Sequence, residues 1–201
     1  MSAARLVIAT NNPGKVVEFR DLLEGCGWEV VAPAEIGVKI DVDETGATYA
    51  ENARIKAEAF SRASGLAAIA DDSGLEVDAL GGDPGALHHL HGWDGKDDLE
   101  RVQILLDAMR DVPDAERSGR FFSVIVVAFP DGGAIEEAGV VEGMIAFAPA
   151  GLSGWGYDPV FLLPERGVTM AQLSEQEKNR VSHRAIAFEK MKQRLQVLAR
   201  A

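Results

Sequence analysis

Hydrophobic residues along this chain follow two rhythms. Short apolar runs at Arg5–Ala9 (RLVIA), Trp28–Val31, Leu66–Ile69, Arg120–Phe129 (RFFSVIVVAF) and Val160–Leu163 read as buried strands. Between them lie longer segments with apolar residues three and four apart, which read as helices. Val16, Phe19, Leu22 and Leu23 mark the first, with Asn12 as N-cap, Pro13 at the first helical position and Gly25 and Gly27 ending it. Thr48-Tyr49-Ala50-Glu51 has capping-box spacing and opens a second helix to about Ser64, stopped by Gly65, with Ala50, Ala53, Ala57 and Phe60 on one side. A third helix runs from Asp97 to Met109 with Leu99, Val102, Leu105, Leu106 and Met109 facing inward. Pro130-Asp131-Gly132-Gly133 turns the strongest strand back into a partner at Ala134–Glu142. Ser174-Glu175-Gln176-Glu177 is a second capping box, and Val181, Ala185, Phe188 and Leu195 form one apolar face beyond it. That last segment is either one continuous helix or two, the second capped by Ser182. The alternation of strands and helices predicts an α/β fold. With 201 residues and no repeat, low-complexity tract or linker, residues 1–201 are expected to form a single domain, or one unit of two lobes.

Composition narrows the partners. A formal net charge of −12 argues against binding a nucleic-acid polymer or an anionic membrane surface, since both require basic patches. A small anion needs only a local cluster of donors and remains possible. No apolar run reaches the roughly 18 residues of a membrane span. Met1–Arg5 lacks a signal-peptide pattern, and Cys26 is the lone cysteine, so neither an internal disulfide nor a thiolate zinc cage is available. A cytoplasmic protein is the expectation.

Five stretches carry candidate chemistry. Ala70-Asp71-Asp72-Ser73-Gly74 is expected to be a tight turn at the end of the Leu66–Ile69 strand. Two adjacent carboxylates there repel one another and lose hydration, and a divalent cation or an ammonium group would offset both costs. A solvated acidic turn is the plainer alternative. Thr10-Asn11-Asn12-Pro13-Gly14-Lys15 links a buried strand to a helix N-terminus, where free N–H groups, the helix dipole and Lys15 suit an anion. Helix capping by Asn12 alone accounts for it equally well, and the glycine spacing is not that of a P-loop. Pro149–Pro159 (PAGLSGWGYDP) sets Trp155 and Tyr157 on a glycine-rich loop, placed either to stack on a planar group or to plug the core. His183 and Arg184 offer a further anion site if Ser182 starts a new helix. His88, His89 and His91, followed by Asp94, Asp97 and Asp98, could hold a transition metal, though a polar surface loop explains them better.

Read together, ATNNPGK (Ala9–Lys15), ETGATYAENARIKA (Glu44–Ala57), ADDSGLEVDALGG (Ala70–Gly82), WGYDPVF (Trp155–Phe161) and LSEQEKNRVSHR (Leu173–Arg184) resemble the inosine triphosphate pyrophosphatase family, in its order and over nearly the whole chain. The resemblance implies an elongated two-lobed α/β fold, with a long twisted mixed β-sheet flanked by helices and a substrate cleft between the lobes. It implies a homodimer that hydrolyses ITP, dITP and XTP to the monophosphate and pyrophosphate with Mg²⁺. By the same resemblance the loop of Thr10, Asn11, Asn12, Pro13, Gly14 and Lys15 holds the triphosphate. Asp72 binds Mg²⁺ and serves or orients the general base, Glu44 is the second metal carboxylate, and Lys56 is a phosphate-side cation. Ser73 touches the substrate, and Trp155, Gly156, Tyr157 and Asp158 pack on the nucleotide. Lys178, His183 and Arg184 contact base and phosphate. Asp71 has no assigned role.

The chain also departs from the family pattern. Ala86–His91 (ALHHLH) stands where a Tyr-Ser-Ala-Arg-like segment is usual, Pro149-Ala150-Gly151 stands for Pro-Arg-Gly, and Trp155 for Phe. These changes leave open a pyrophosphatase with altered nucleotide preference; a nucleotide-binding protein that does not hydrolyse is a separate alternative, against which the intact Asp72 and Glu44 argue.

Overall fold

The computed structural model describes residues 4–87, 93 and 97–200. The histidine-rich segment His88–His91 and Asp94 lie outside the described residues. Seven strands form one mixed sheet: β1 (Arg5–Ile8), β2 (Glu29–Val31), β3 (Ala67–Val77), β4 (Ser118–Ala128), β5 (Ala134–Ile145), β6 (Phe161–Leu163) and β7 (Val168–Thr169), in the order β2-β1-β3-β4-β5-β6-β7. β1 runs parallel to both β2 and β3, whereas β5, β6 and β7 pair antiparallel. Helices α1 (Pro13–Leu22) and α2 (Tyr49–Ser64) are the crossovers that parallel pairing requires. α3 (Asp98–Ala108), α4 (Glu175–Val181) and α5 (His183–Leu198) complete the helices among the described residues.

Local chemistry explains most boundaries. The Thr48 hydroxyl accepts from the Glu51 N–H at 3.2 Å while Glu51 reaches back to the Ala47 and Thr48 N–H groups, and Gly65 closes α2 at φ 68°. Asp97 caps α3 through the Glu100 N–H. Ser182 adopts an extended backbone (φ −71°, ψ 155°), so the C-terminal segment is two helices and His183 and Arg184 begin the second.

Three expectations need correction. The Asp71–Gly74 stretch is no turn: β3 runs unbroken through it for 11 residues. Gly74 reads locally as punctuation, but β3, which pairs with β1 as far as Ile69, has β4 as its other hydrogen-bonded neighbour, and that ladder overrides a single glycine. Leu99 is 75% exposed rather than inward, because it sits in the first turn of α3 at the edge of an apolar stripe centred on Val102 and Leu105. Val160 closes a short 3-10 turn (Asp158–Val160), so the strand after it begins at Phe161.

The chain divides into two compact units, one of residues up to Asp72 with Ser123–Gly139 and Arg184 onward, the other of Ser73–Phe122 and Val140–His183. In the first, α1 and α5 cover one sheet face. Leu6, Ile8, Ala67, Ile69, Ile125 and Val127 meet Phe19, Leu23, Phe188, Met191 and Leu195 there, and the Phe19 and Phe188 rings pack edge to face at 4.6 Å. Strand alternation sends Val7, Ala68 and Ala70 to the opposite face, where α2 buries Ala53, Ala57 and Phe60. In the second unit, Leu75, Val77, Val102, Leu105, Met109, Phe121, Ile145, Phe161 and Leu163 form the core. The fully buried Arg117 ties that core together by donating to the backbone carbonyls of Met109, Val112, Ile145 and Ala146.

Phe188 is fully buried and meets Phe19 across the α1–α5 contact. Phe188→Ala should therefore cost about 3–5 kcal/mol in urea unfolding, with the secondary structure by circular dichroism unchanged.

Candidate active site

In the first unit, the Thr10–Lys15 loop leaves β1 and enters α1. Its polar side chains are largely engaged in shaping it. The Thr10 hydroxyl accepts from the Asn12 N–H at 3.2 Å, and Asn12 Oδ1 accepts from the Gly14 and Lys15 N–H groups at 2.8 and 3.3 Å. Asn11 donates to the Ile40 carbonyl at 2.8 Å and to Asp41. Asn12 thus caps the helix, and Asn11 through Gly14 remain exposed at its N-terminal end.

Lys15 points elsewhere. Its ammonium lies 2.8 Å from Asp71, and the Arg184 guanidinium holds the same carboxylate at 2.9 Å while also pairing with Glu18 at 3.1 Å. Asp71 and Arg184 are 3% and 5% exposed. Burial alone would raise the Asp71 pKa, but Lys15, Arg184 and Lys56 outweigh it and hold the carboxyl well below the usual range. This chain of charges joins α1, β3 and α5. The sequence left Asp71 unassigned and did not single out Glu18.

Asp72, one residue on, belongs to the face that α2 covers. Lys56 on α2 places its ammonium 3.5 Å from Asp72 and 2.6 Å from Glu44, so both predicted metal carboxylates share one cation. Burial raises the Asp72 pKa, Glu44 and Asp71 raise it further, and Lys56 and a hydrogen bond from Asn52 oppose the rise without cancelling it. A carboxylate in that state favours additional positive charge. Two oxygen donors that already flank one cation fit the oxygen chemistry of Mg²⁺, with water and phosphate oxygens able to complete its shell.

The second unit holds the aromatic loop. Gly154 passes so close to Asp158 and Lys178 that a Cβ there would overlap both, and its φ of +80° also favours glycine. Asp158, 3% exposed, pairs with Lys178 and accepts from the Trp155 N–H at 3.1 Å. Asp98, at the start of α3, accepts from the Gly156 N–H at 2.7 Å. The Trp155 ring is 47% exposed and has the Lys178 ammonium 5.0 Å from its centroid. Tyr157 packs against the core of this unit. His183 is buried and stacks on Phe121 with centroids 4.7 Å apart, and Ser73 is half-buried on β3.

Of the predicted residues, the fold thus gathers Glu44, Lys56 and Asp72 in one cluster. It ties Lys15 and Arg184 to Asp71 in another, and groups Trp155, Gly156, Asp158 and Lys178 in a third. Asn52, which accepts from the Gly46 N–H at 2.8 Å, and Asp98 support these clusters and carry no sequence-based assignment to them. Asn52 lies four residues before Lys56 on the same helical stripe, within the Glu44–Ala57 motif that also holds Gly46.

The mixed α/β sheet carries these paired carboxylates and cations on its strands and helices, and sequence comparison gives the family. The chain belongs to the Ham1 family, whose profile matches residues 6–194. It is 47% identical over 201 residues to a dITP/XTP pyrophosphatase of Symbiobacterium thermophilum, covering 98% of each chain. A dITP/XTP pyrophosphatase of Bacillus subtilis is 42% identical over 190 residues, covering 94% of this chain and 96% of the relative. The solved structure of a HAM1 protein from Coxiella burnetii superposes with a TM-score of 0.87 at 38% identity, covering 98% of this chain and all of that one.

The adjacent carboxylates should separate by phenotype. Asp71→Asn leaves Lys15 and the buried Arg184 undercompensated and should cost about 3–5 kcal/mol of stability, whereas Asp72→Asn should leave the melting temperature within a few degrees of wild type. Paired thermal and urea melts of the two variants check this.

Proposed function

We propose that this protein is a Mg²⁺-dependent nucleoside triphosphate pyrophosphatase that hydrolyses ITP, dITP and XTP to the nucleoside monophosphate and pyrophosphate. Relatives named dITP/XTP pyrophosphatases match nearly its full length, which supports the reaction and the substrates. The observation that carries the chemistry is the Lys56 ammonium held 2.6 Å from Glu44 and 3.5 Å from Asp72. Those two carboxylates would hold Mg²⁺, which when bound supplies charge neutralisation on the phosphates and a water of lowered pKa.

The chain's own residues take the remaining roles. Asp72 would accept the proton of the attacking water, or orient that water, through a carboxylate oxygen not given to the metal. Lys56 is released toward developing phosphate charge once the carboxylates find another cation. The exposed N-terminal end of α1 offers N–H groups to the triphosphate, with Thr10, Asn11 and Asn12 shaping the loop around them. Lys15 and Arg184 are both committed to Asp71, so their part is to orient α1 and α5 and to add positive field. The exposed Trp155 ring provides a stacking plane for the base, fixed by Asp158 and Lys178. Ser73, Gly156, Tyr157 and His183 complete the substrate-contacting set that the family resemblance implies. The same reading takes the protein to be a cytoplasmic homodimer. Among the described residues, no helix is long and apolar enough to cross a membrane.

Pyrophosphate release should be fast from ITP, dITP and XTP with Mg²⁺, slow from ATP and GTP, and abolished by EDTA until Mg²⁺ is restored. Preference for another nucleotide in the same panel would keep the reaction and move the specificity to the departures at 86–91 and Trp155. Tight ITP binding without pyrophosphate release would make the protein a non-hydrolysing binder. Asp72→Asn should lower kcat roughly 100- to 10,000-fold. Near-normal turnover in that variant would remove Asp72 from the proton and metal roles.

A further inference from the structure

Asn52 is 2% exposed in the middle of the Glu44–Lys56–Asp72 cluster. Its Oδ1 accepts from the Gly46 N–H at 2.8 Å, and its amide lies close enough to Asp72 to favour the ionised carboxylate. Gly46 stands two residues after Glu44, on a stretch without helix or strand. A Cβ at position 46 would lie 2.8 Å from Asn52 Oδ1 and 2.6 Å from the Glu51 Cβ, so the approach of this backbone to Asn52 requires glycine. Asn52 also sits one helical turn before Lys56, whose ammonium touches both Glu44 and Asp72.

We infer that Asn52 is a positioning residue for the cation site, one amide that clasps the Glu44-bearing loop with its oxygen and orients the Asp72 carboxylate with its nitrogen. Few side chains can do both. An aspartate would repel Asp72, a serine is too short to span both partners, and an alanine leaves the buried Gly46 N–H and one Asp72 acceptor position unpaired. The clasp holds the two carboxylates in a fixed relation before any cation arrives, which lowers the ordering cost of binding one. Glu44 gains most, because its side chain is 42% exposed and its loop has no regular structure of its own. The inference rests on the reading of Glu44 and Asp72 as the carboxylates that hold the divalent cation.

The test is a Mn²⁺ titration followed by electron paramagnetic resonance, in the presence of non-hydrolysable α,β-imido-ITP, on wild type, Asn52→Ala and Gly46→Ala. The expected result is a half-saturating Mn²⁺ concentration raised roughly 10- to 100-fold in both variants, with analogue affinity in metal-free buffer unchanged and a cooperative melt retained. Wild-type protein that holds no Mn²⁺ overturns the cation reading, and this inference with it. Wild type that holds Mn²⁺ beside variants of equal Mn²⁺ affinity overturns this inference alone, even where the variants melt lower, since a purely structural role moves stability without moving metal affinity. Equal loss of metal-free analogue binding also overturns it, by showing general loosening. If Asn52→Ala gives no cooperative melt, Gly46→Ala decides by the same titration.

Discussion

The two-residue alternation of a single strand organises this protein. β3 carries Asp71 and Asp72 side by side, and the pleat sends them to opposite faces of the sheet. Each meets its own ion-pair partners, although the Lys56 charge also reaches Asp71. Asp71 turns to the face under α1 and α5 and meets Lys15 and Arg184. Asp72 turns to the face under α2 and meets Lys56 and Asn52. The two environments drive the two acids in opposite directions. Asp71 is held firmly ionised, while Asp72 is left short of positive charge.

That division separates architecture from chemistry. A buried carboxylate paired with two cations is costly to desolvate and costly to disrupt, and its value lies in specifying which helices meet at which register. The Glu18–Arg184–Asp71–Lys15 chain does this for α1 and α5, whose apolar contact through Phe19 and Phe188 has less directional preference of its own. Asp72 is placed for change, in a cluster where Lys56 serves two carboxylates at once. A cation entering there would replace an existing pairing and would not build a site from nothing. The aromatic loop repeats the principle in the second unit, where Asp98 and Asp158 hold backbone N–H groups so that Trp155 can stay exposed.

Much of the local structure was legible in the residues. Thr48 with Glu51 and Gly65 delimit α2, Asn12 and Pro13 begin α1, and the apolar runs mark the strands, because each depends on contacts within a few positions. The family was legible too, because five motifs occur in order. The Asp71–Gly74 stretch reads as a turn in the sequence and is part of β3 in the fold. Its glycine is a local signal, while the hydrogen bonds that keep β3 extended come from strands distant in sequence. Leu99 was misjudged because the edge of an apolar stripe cannot be located until the opposing surface is known.

By itself the sequence determined the α/β class, the caps that bound the helices, the family, and the set of charged residues from which a site could be made. The tertiary structure decided which charge answers which. Asp71 and Asp72 are equivalent as letters, and their roles diverge only when parity on β3 assigns one to Arg184 and the other to Lys56. Asn52 looks like an ordinary helix residue until folding brings Gly46 and Asp72 to its two ends. The physical reason is range. Caps and periodicity act over one or two turns of chain, whereas an ion pair between residues 113 apart in sequence exists only after the sheet and its helices have closed around it.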